Sequence, residues 1–130
     1  MFDLKRCAIR MASNIKITES KRGKVFLKND LILRGIIRNS DYEEIIRKSI
    51  LIMNGIKKVE FNYDDLRVII SYDYNRLSEK KVVSWIKLII EVIVDNYEES
   101  KKYIENNNKE ALIRLIEPQL KNEVKFINGR

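Results

Sequence analysis

Hydrophobic positions along the chain change their period several times, and each change marks an element. From Lys24 to Lys28, Val25 and Leu27 alternate with Lys24, Phe26 and Lys28, the period of a strand with one face on a core. Upstream, Ile15 to Lys21 is also strand material, and the polar Ser20-Lys21-Arg22-Gly23 predicts a bend or bulge between the two. Leu31, Ile32, Leu33, Ile36 and Ile37 make the next connection more apolar than a solvated loop, so part of it is expected against the core. A helix is predicted from Ser40 to Met53, with Ile45, Ile46, Ile50 and Met53 at helical spacing. Ser40 and Glu43 form a capping box at its start, and Asn54-Gly55 ends it.

Two strands follow. Val59, Phe61 and Tyr63 alternate with polar positions, as do Leu66, Val68, Ile70 and Tyr72, and Asp64-Asp65 is the polar turn between them. A second helix is expected from about Ser78 to Tyr97. Its polar line (Lys80, Ser84, Lys87, Glu91, Asp95) is narrow, so more than one flank needs cover. Glu98 to Asn108 is charged and polar, with a break at Asn106-Asn107-Asn108. Helical spacing resumes from Glu110 to Ile116, where Pro118 is expected to limit it. Residues 122–128 read either as a last edge strand or as a tail. The order β-α-β-β-α with an optional β predicts an α+β, ferredoxin-like antiparallel sheet with helices on one face and an extra C-terminal helix. The expected division is an N-terminal arm over 1–14, the ferredoxin-like domain over 15–97, and a helical extension over 98–130.

Four stretches carry a family likeness: Arg22-Gly23-Lys24-Val25-Phe26-Leu27, Asn54-Gly55-Ile56-Lys57-Lys58-Val59, Val68-Ile69-Ile70-Ser71-Tyr72-Asp73, and the Leu77-Ser78 lead into the second helix. In these the chain from about Ile15 to Val94 resembles the heavy-metal-associated domain family, in its divergent branch without metal-binding cysteines. The resemblance implies a ferredoxin-like fold. Metal-carrying members place two cysteines, two residues apart, before the first helix, where paired thiolates hold a soft cation such as Cu(I). The corresponding loop, about Lys28 to Asn39, holds no cysteine. Cys7 lies outside the domain and the chain has no histidine. A soft-metal site within one chain is therefore not expected, and no cofactor is.

Composition narrows the chemistry further. With no histidine, the usual acid–base group at neutral pH is missing, and neither a Walker loop nor Gly-x-Gly-x-x-Gly occurs. The expectation is a non-catalytic protein. Asp64, Asp65 and Asp73 could hold a hard cation, although adjacent acids in a hairpin are ordinary turn residues. The lone cysteine forbids an internal disulfide and suits a cytoplasmic home. The most apolar run, Val82 to Val94, carries Lys87 and Glu91 and is too short to span a membrane. Met1 to Ser13 lacks the continuous apolar stretch of a signal peptide.

Two binding readings remain. The first is an interaction or assembly module, self-associating or holding a protein partner through Trp85, Leu88 and Val92 on the off-stripe flank of the second helix. Against it, Leu112, Ile113, Leu115 and Ile116 of the same chain are available to cover that flank. The second is an RNA- or DNA-binding module, motivated by a net charge of +7 from 26 basic and 19 acidic residues. Its candidate contacts are Lys21, Arg22, Lys24, Lys28, Lys57 and Lys58, with Arg67 nearby. Of the strand aromatics, Phe61, Tyr63 and Tyr72 share a face with core residues, so only Phe26, beside Ile69, falls on the open face.

Overall fold

The computed structural model describes residues 15–28 and 41–128. Strands β1 (Lys16–Lys21) and β2 (Lys24–Lys28) form a hairpin. Helix α1 (Asp41–Leu51), strands β3 (Ile56–Asn62) and β4 (Arg67–Tyr72), and helices α2 (Glu79–Asp95), α3 (Tyr97–Glu105) and α4 (Lys109–Asn128) follow. The strands lie in the order β1-β2-β4-β3, each antiparallel to its neighbour. β2, α1 and β3 with β4 inserted between the two strands form the split β-α-β unit expected from the pattern. The edge beside β2 is where the ferredoxin-like expectation fails. It is occupied by β1 from upstream rather than by a strand returning from residues 122–128, so the domain is α+β without the ferredoxin-like strand order.

Residues 122–128 are helical because the apolar stripe of α4 continues through them. Leu112, Ile116, Leu120, Val124 and Ile127 are all buried, at the spacing of a single helix face. Pro118 stands inside α4 and does not end it. A mid-helix proline costs about 3 kcal/mol, whereas burying each aliphatic side chain contributes about 1.5–3 kcal/mol. The stripe beyond the proline decides the outcome. Pro118 itself is exposed, and Gln119 Nε2 donates to the Leu115 carbonyl at 2.9 Å.

The predicted sheet alternation holds. Val25, Leu27, Val59, Val68, Ile70 and Tyr72 enter one core with Ile45, Ile50 and Met53 of the α1 region and the inner side of α2. Ser40, the expected capping residue, lies outside the described residues. At the other end of α1, Gly55 takes φ +102°, and a Cβ there would come within 2.9 Å of Leu77 Cδ1. A side chain is barred by both conformation and space. The β3–β4 turn is fixed by Asn62, whose Oδ1 accepts from the backbone N–H of Asp64 (3.1 Å) and Asp65 (3.2 Å). Tyr63 and Leu66, both expected on strands, fall in this turn, Tyr63 exposed rather than on the core face and Leu66 at φ 53°.

The wide apolar surface of α2 is covered from within the chain. Trp85 is fully buried, and its indole N–H donates at 3.1 Å to the Ile50 carbonyl in the last turn of α1, which also accepts from the Met53 N–H at 3.4 Å. α4 packs along α2 as well, joined by a reciprocal pair in which Asn96 and Gln119 exchange side-chain hydrogen bonds of 3.0 and 3.1 Å. The break between α3 and α4 falls at the asparagines, as expected. Asn107 adopts φ 54°, and the Asn108 side chain accepts from the Ala111 N–H at 3.2 Å. Among the described residues no helix is long and apolar enough to cross a membrane.

Candidate functional site

Strand register sorts the charged residues into rows. Lys21, Lys24, Ser71 and Lys58 lie across the sheet from one another; Glu19, Phe26, Ile69 and Glu60 form the next row; Lys16, Lys28, Arg67 and Asn62 form the third. These rows occupy the face opposite Val25, Leu27, Val68 and Ile70, because side chains alternate along a strand. On the face away from the helices five lysines and Arg67 thus outnumber Glu19 and Glu60, which pair with Lys21 at 3.4 Å and with Lys58 at 3.5 Å.

Two features of this face are energetically unusual. Lys21 stands directly across from Lys24, and Lys16 directly across from Lys28. Like charges directly opposite destabilise a sheet, by roughly 0.2–1 kcal/mol per pair. Lysines on the edge strand β1 have a plain use, since they discourage pairing with another chain. That account does not reach Lys24 and Lys28, which stand on β2, an interior strand.

The second feature is Phe26. Arg67 places its guanidinium carbon 5.1 Å from the ring centroid, and Lys21 its ammonium 5.9 Å away. Arg67 also reaches Asp65 at 3.1 Å and Glu19 at 3.8 Å, yet its Nε–H is buried and has no hydrogen-bond partner. At the hairpin end of the sheet Arg22 lies over the Tyr74 ring at 4.6 Å. Gly23 is required there. Its φ is +78°, and a Cβ would sit 3.0 Å from the Tyr72 carbonyl oxygen.

Of the residues singled out for nucleic-acid contact, the structure therefore brings Lys21, Lys24, Lys28 and Lys58 together on one face. Arg22 is in the turn, and Lys57 falls in the irregularity between Ile56 and Lys58, outside the register. Lys16 joins the face although nothing in its local pattern distinguished it. The candidate interface of Trp85, Leu88 and Val92 is placed differently. Trp85 and Val92 are buried and Leu88 is half-buried against the core, so this flank offers a partner little surface while α4 is docked.

A separate cluster joins α1 to β3. Glu43 accepts from the Tyr63 hydroxyl and from Arg47 (2.8 Å), and Arg47 lies over Phe61, 5.1 Å from its centroid. The bond from Tyr63, then that from Arg47, holds the Glu43 carboxyl below its ordinary value of 4.5. Tyr63 is pushed up to about 12 by loss of water around it and by Glu43. These shifts follow from bonds inside a clamp, not from a group poised for proton transfer. Because folding lowers the Glu43 value, the clamp stabilises above the ordinary carboxylate range and is lost as pH falls through the lowered value. Thermal melts between about pH 7 and pH 3 should therefore fall more steeply at the acid end for the native protein than for Glu43→Gln. Parallel curves would show that the clamp adds nothing there. The Tyr63 contribution runs the opposite way, present below its ordinary value and lost as pH rises through about 12.

Asp64, Asp65 and Asp73, read from the sequence as turn residues before cation ligands, are not gathered into a cluster. Asp65 is engaged by Asn62 and Arg67, Asp73 faces Arg76 at 3.7 Å, and no group of three or more metal-capable side chains occurs among the described residues. Comparison with protein-family models, curated proteins and solved structures gives no match to this chain.

Proposed function

We propose that this protein is a non-catalytic module that binds nucleic acid on the open face of its sheet. The observation that carries this reading is the pair of lysine–lysine oppositions, Lys21 with Lys24 and Lys16 with Lys28, on either side of Phe26. Repulsion built into a sheet lowers its stability. A bound polyanion reverses the sign, since each phosphate lies between cations and releases its condensed counterions. The β2-α1-β3-β4-α2 portion has the order that the sequence resemblance to heavy-metal-associated domains implies, and with one cysteine in the chain it has no thiolate pair to compete with such a role.

The test uses two readouts with opposite expected signs. Lys24→Glu should raise the unfolding free energy slightly, by up to about 1 kcal/mol, because a salt bridge to Lys21 replaces a repulsion. The same change should weaken binding of a fluorescently labelled oligonucleotide about tenfold. Native-protein affinity should itself fall by an order of magnitude or more between about 50 and 200 mM salt. A more stable variant whose native parent binds no oligonucleotide at low salt would mean that the lysines serve only to keep β1 from pairing, and the reading would fail.

A further inference from the structure

We infer that the ligand is a single strand, that one of its bases stacks on Phe26, and that Arg67 is the side chain that yields the ring and then grips the strand. This rests on the nucleic-acid reading above and narrows it to a class of ligand and a pair of residues.

Phe26 is the aromatic residue of the open-face rows, since Phe61 and Tyr72 face the core side. Its ring lies between two basic rows, Lys21 with Lys24 on one side and Lys16 with Lys28 on the other. Each row is two residues along the strand from Phe26, about 7 Å away. A strand crossing the sheet can place phosphates over both rows while an unpaired base descends between them. Every base has a flat π-face, so such stacking favours single strands with little regard to sequence.

The ring is already covered by Arg67, at 5.1 Å, and a guanidinium is a flat cation that occupies the same kind of space as a base. The Arg67 position has a built-in deficit. Its Nε–H is buried without an acceptor, an arrangement that is costly while it lasts. Of its two ion pairs, the one to Glu19 is loose at 3.8 Å, and the one to Asp65 at 3.1 Å involves a largely exposed partner. When a base takes the ring, Arg67 can turn its fork to a phosphate or a base edge and satisfy Nε–H in the same movement. A duplex cannot make this exchange. Its bases are already stacked on each other, and a broad sheet face does not enter a groove, so only the lysine contacts remain to it.

The experiment is fluorescence anisotropy with a labelled oligo-dT single strand, competed by unlabelled single strand or by a hairpin duplex of equal charge. It is run on the native chain, Phe26→Leu, Phe26→Tyr and Arg67→Lys, each first shown by circular dichroism to be folded. The native protein should prefer single strand by about tenfold or more. Phe26→Leu should bring single-strand affinity down to the duplex level without changing duplex binding. Phe26→Tyr should retain the preference, and Arg67→Lys, which keeps the charge but loses the fork, should reduce it. Equal affinity of the native protein for both forms, or a preference that survives Phe26→Leu, would overturn the inference while leaving nucleic-acid binding in place. Failure of the native protein to bind either form would instead remove the reading on which it rests.

Discussion

Trp85→Ala is expected to cost about 3–5 kcal/mol of unfolding free energy, a large part of what holds a domain of this size together. Two losses add. The indole is among the largest fully buried side chains, so its removal leaves a cavity that the surrounding core can only partly fill. The Ile50 carbonyl also loses the indole donor and keeps only the Met53 N–H at 3.4 Å, and one such hydrogen bond contributes about 0.5–1.5 kcal/mol. Urea denaturation followed by circular dichroism is the appropriate measurement, because Trp85 is the chain's one tryptophan and its own fluorescence disappears with it. Trp85→Phe separates the two losses, since it keeps much of the volume and removes only the N–H. A midpoint for Trp85→Ala close to that of the native protein would mean that α1 and α2 are not tied in this way.

Leu120→Asp is expected to have an equal or larger effect by another route. Leu120 is fully buried in the middle of the α4 stripe, where a carboxylate would have neither water nor a partner. The site cannot accept the charge, so α4 should leave α2 and expose the flank that carries Leu88 and Val92. Dye binding to the newly exposed apolar surface, and self-association that grows with protein concentration in sedimentation, should accompany the loss of a sharp unfolding transition. A variant that remains monomeric and unfolds in one cooperative step would show that α4 is not what covers α2. The same experiment tests whether the flank that the pattern of α2 offered as an interface is covered by α4. The apolar flank is present, but as a surface released only when its own cover is displaced.

Much of this architecture is legible in the residues. Val25, Leu27, Val68 and Ile70 announce their faces by alternation, and Gly55 and Asn108 mark helix boundaries through their own conformational preferences. The placement of Phe26 on the open face also follows from alternation alone. Other features depend on partners distant in sequence. The near-continuous apolar surface of α2 shows that it is covered on more than one side, but not whether by α4 or by another molecule. Pro118 carries a strong local signal for a stop, and it is overridden because the Leu120, Val124 and Ile127 stripe gains more by docking than the proline costs. The six residues of β1 are all exposed and have no face to advertise, so only the register with β2 reveals them as the sheet edge. The contact between Arg67 and Phe26 likewise exists only once β2 and β4 are paired.

Taking the edge strand from a hairpin rather than from a distant return has a consequence for synthesis. All four strands lie within Lys16–Tyr72, and the β1–β2 pair closes over a two-residue turn. Local closure of this kind is fast, and the sheet's sequence is complete before any of α2 to α4 has been made. The helix that packs along α2 is translated only after α2 and α3. For the time a ribosome needs to add some tens of residues, at about 5–20 residues per second, the nascent chain therefore carries an unsealed hydrophobic helix on a finished sheet. A stall between Asp95 and Asn128 would prolong that exposure.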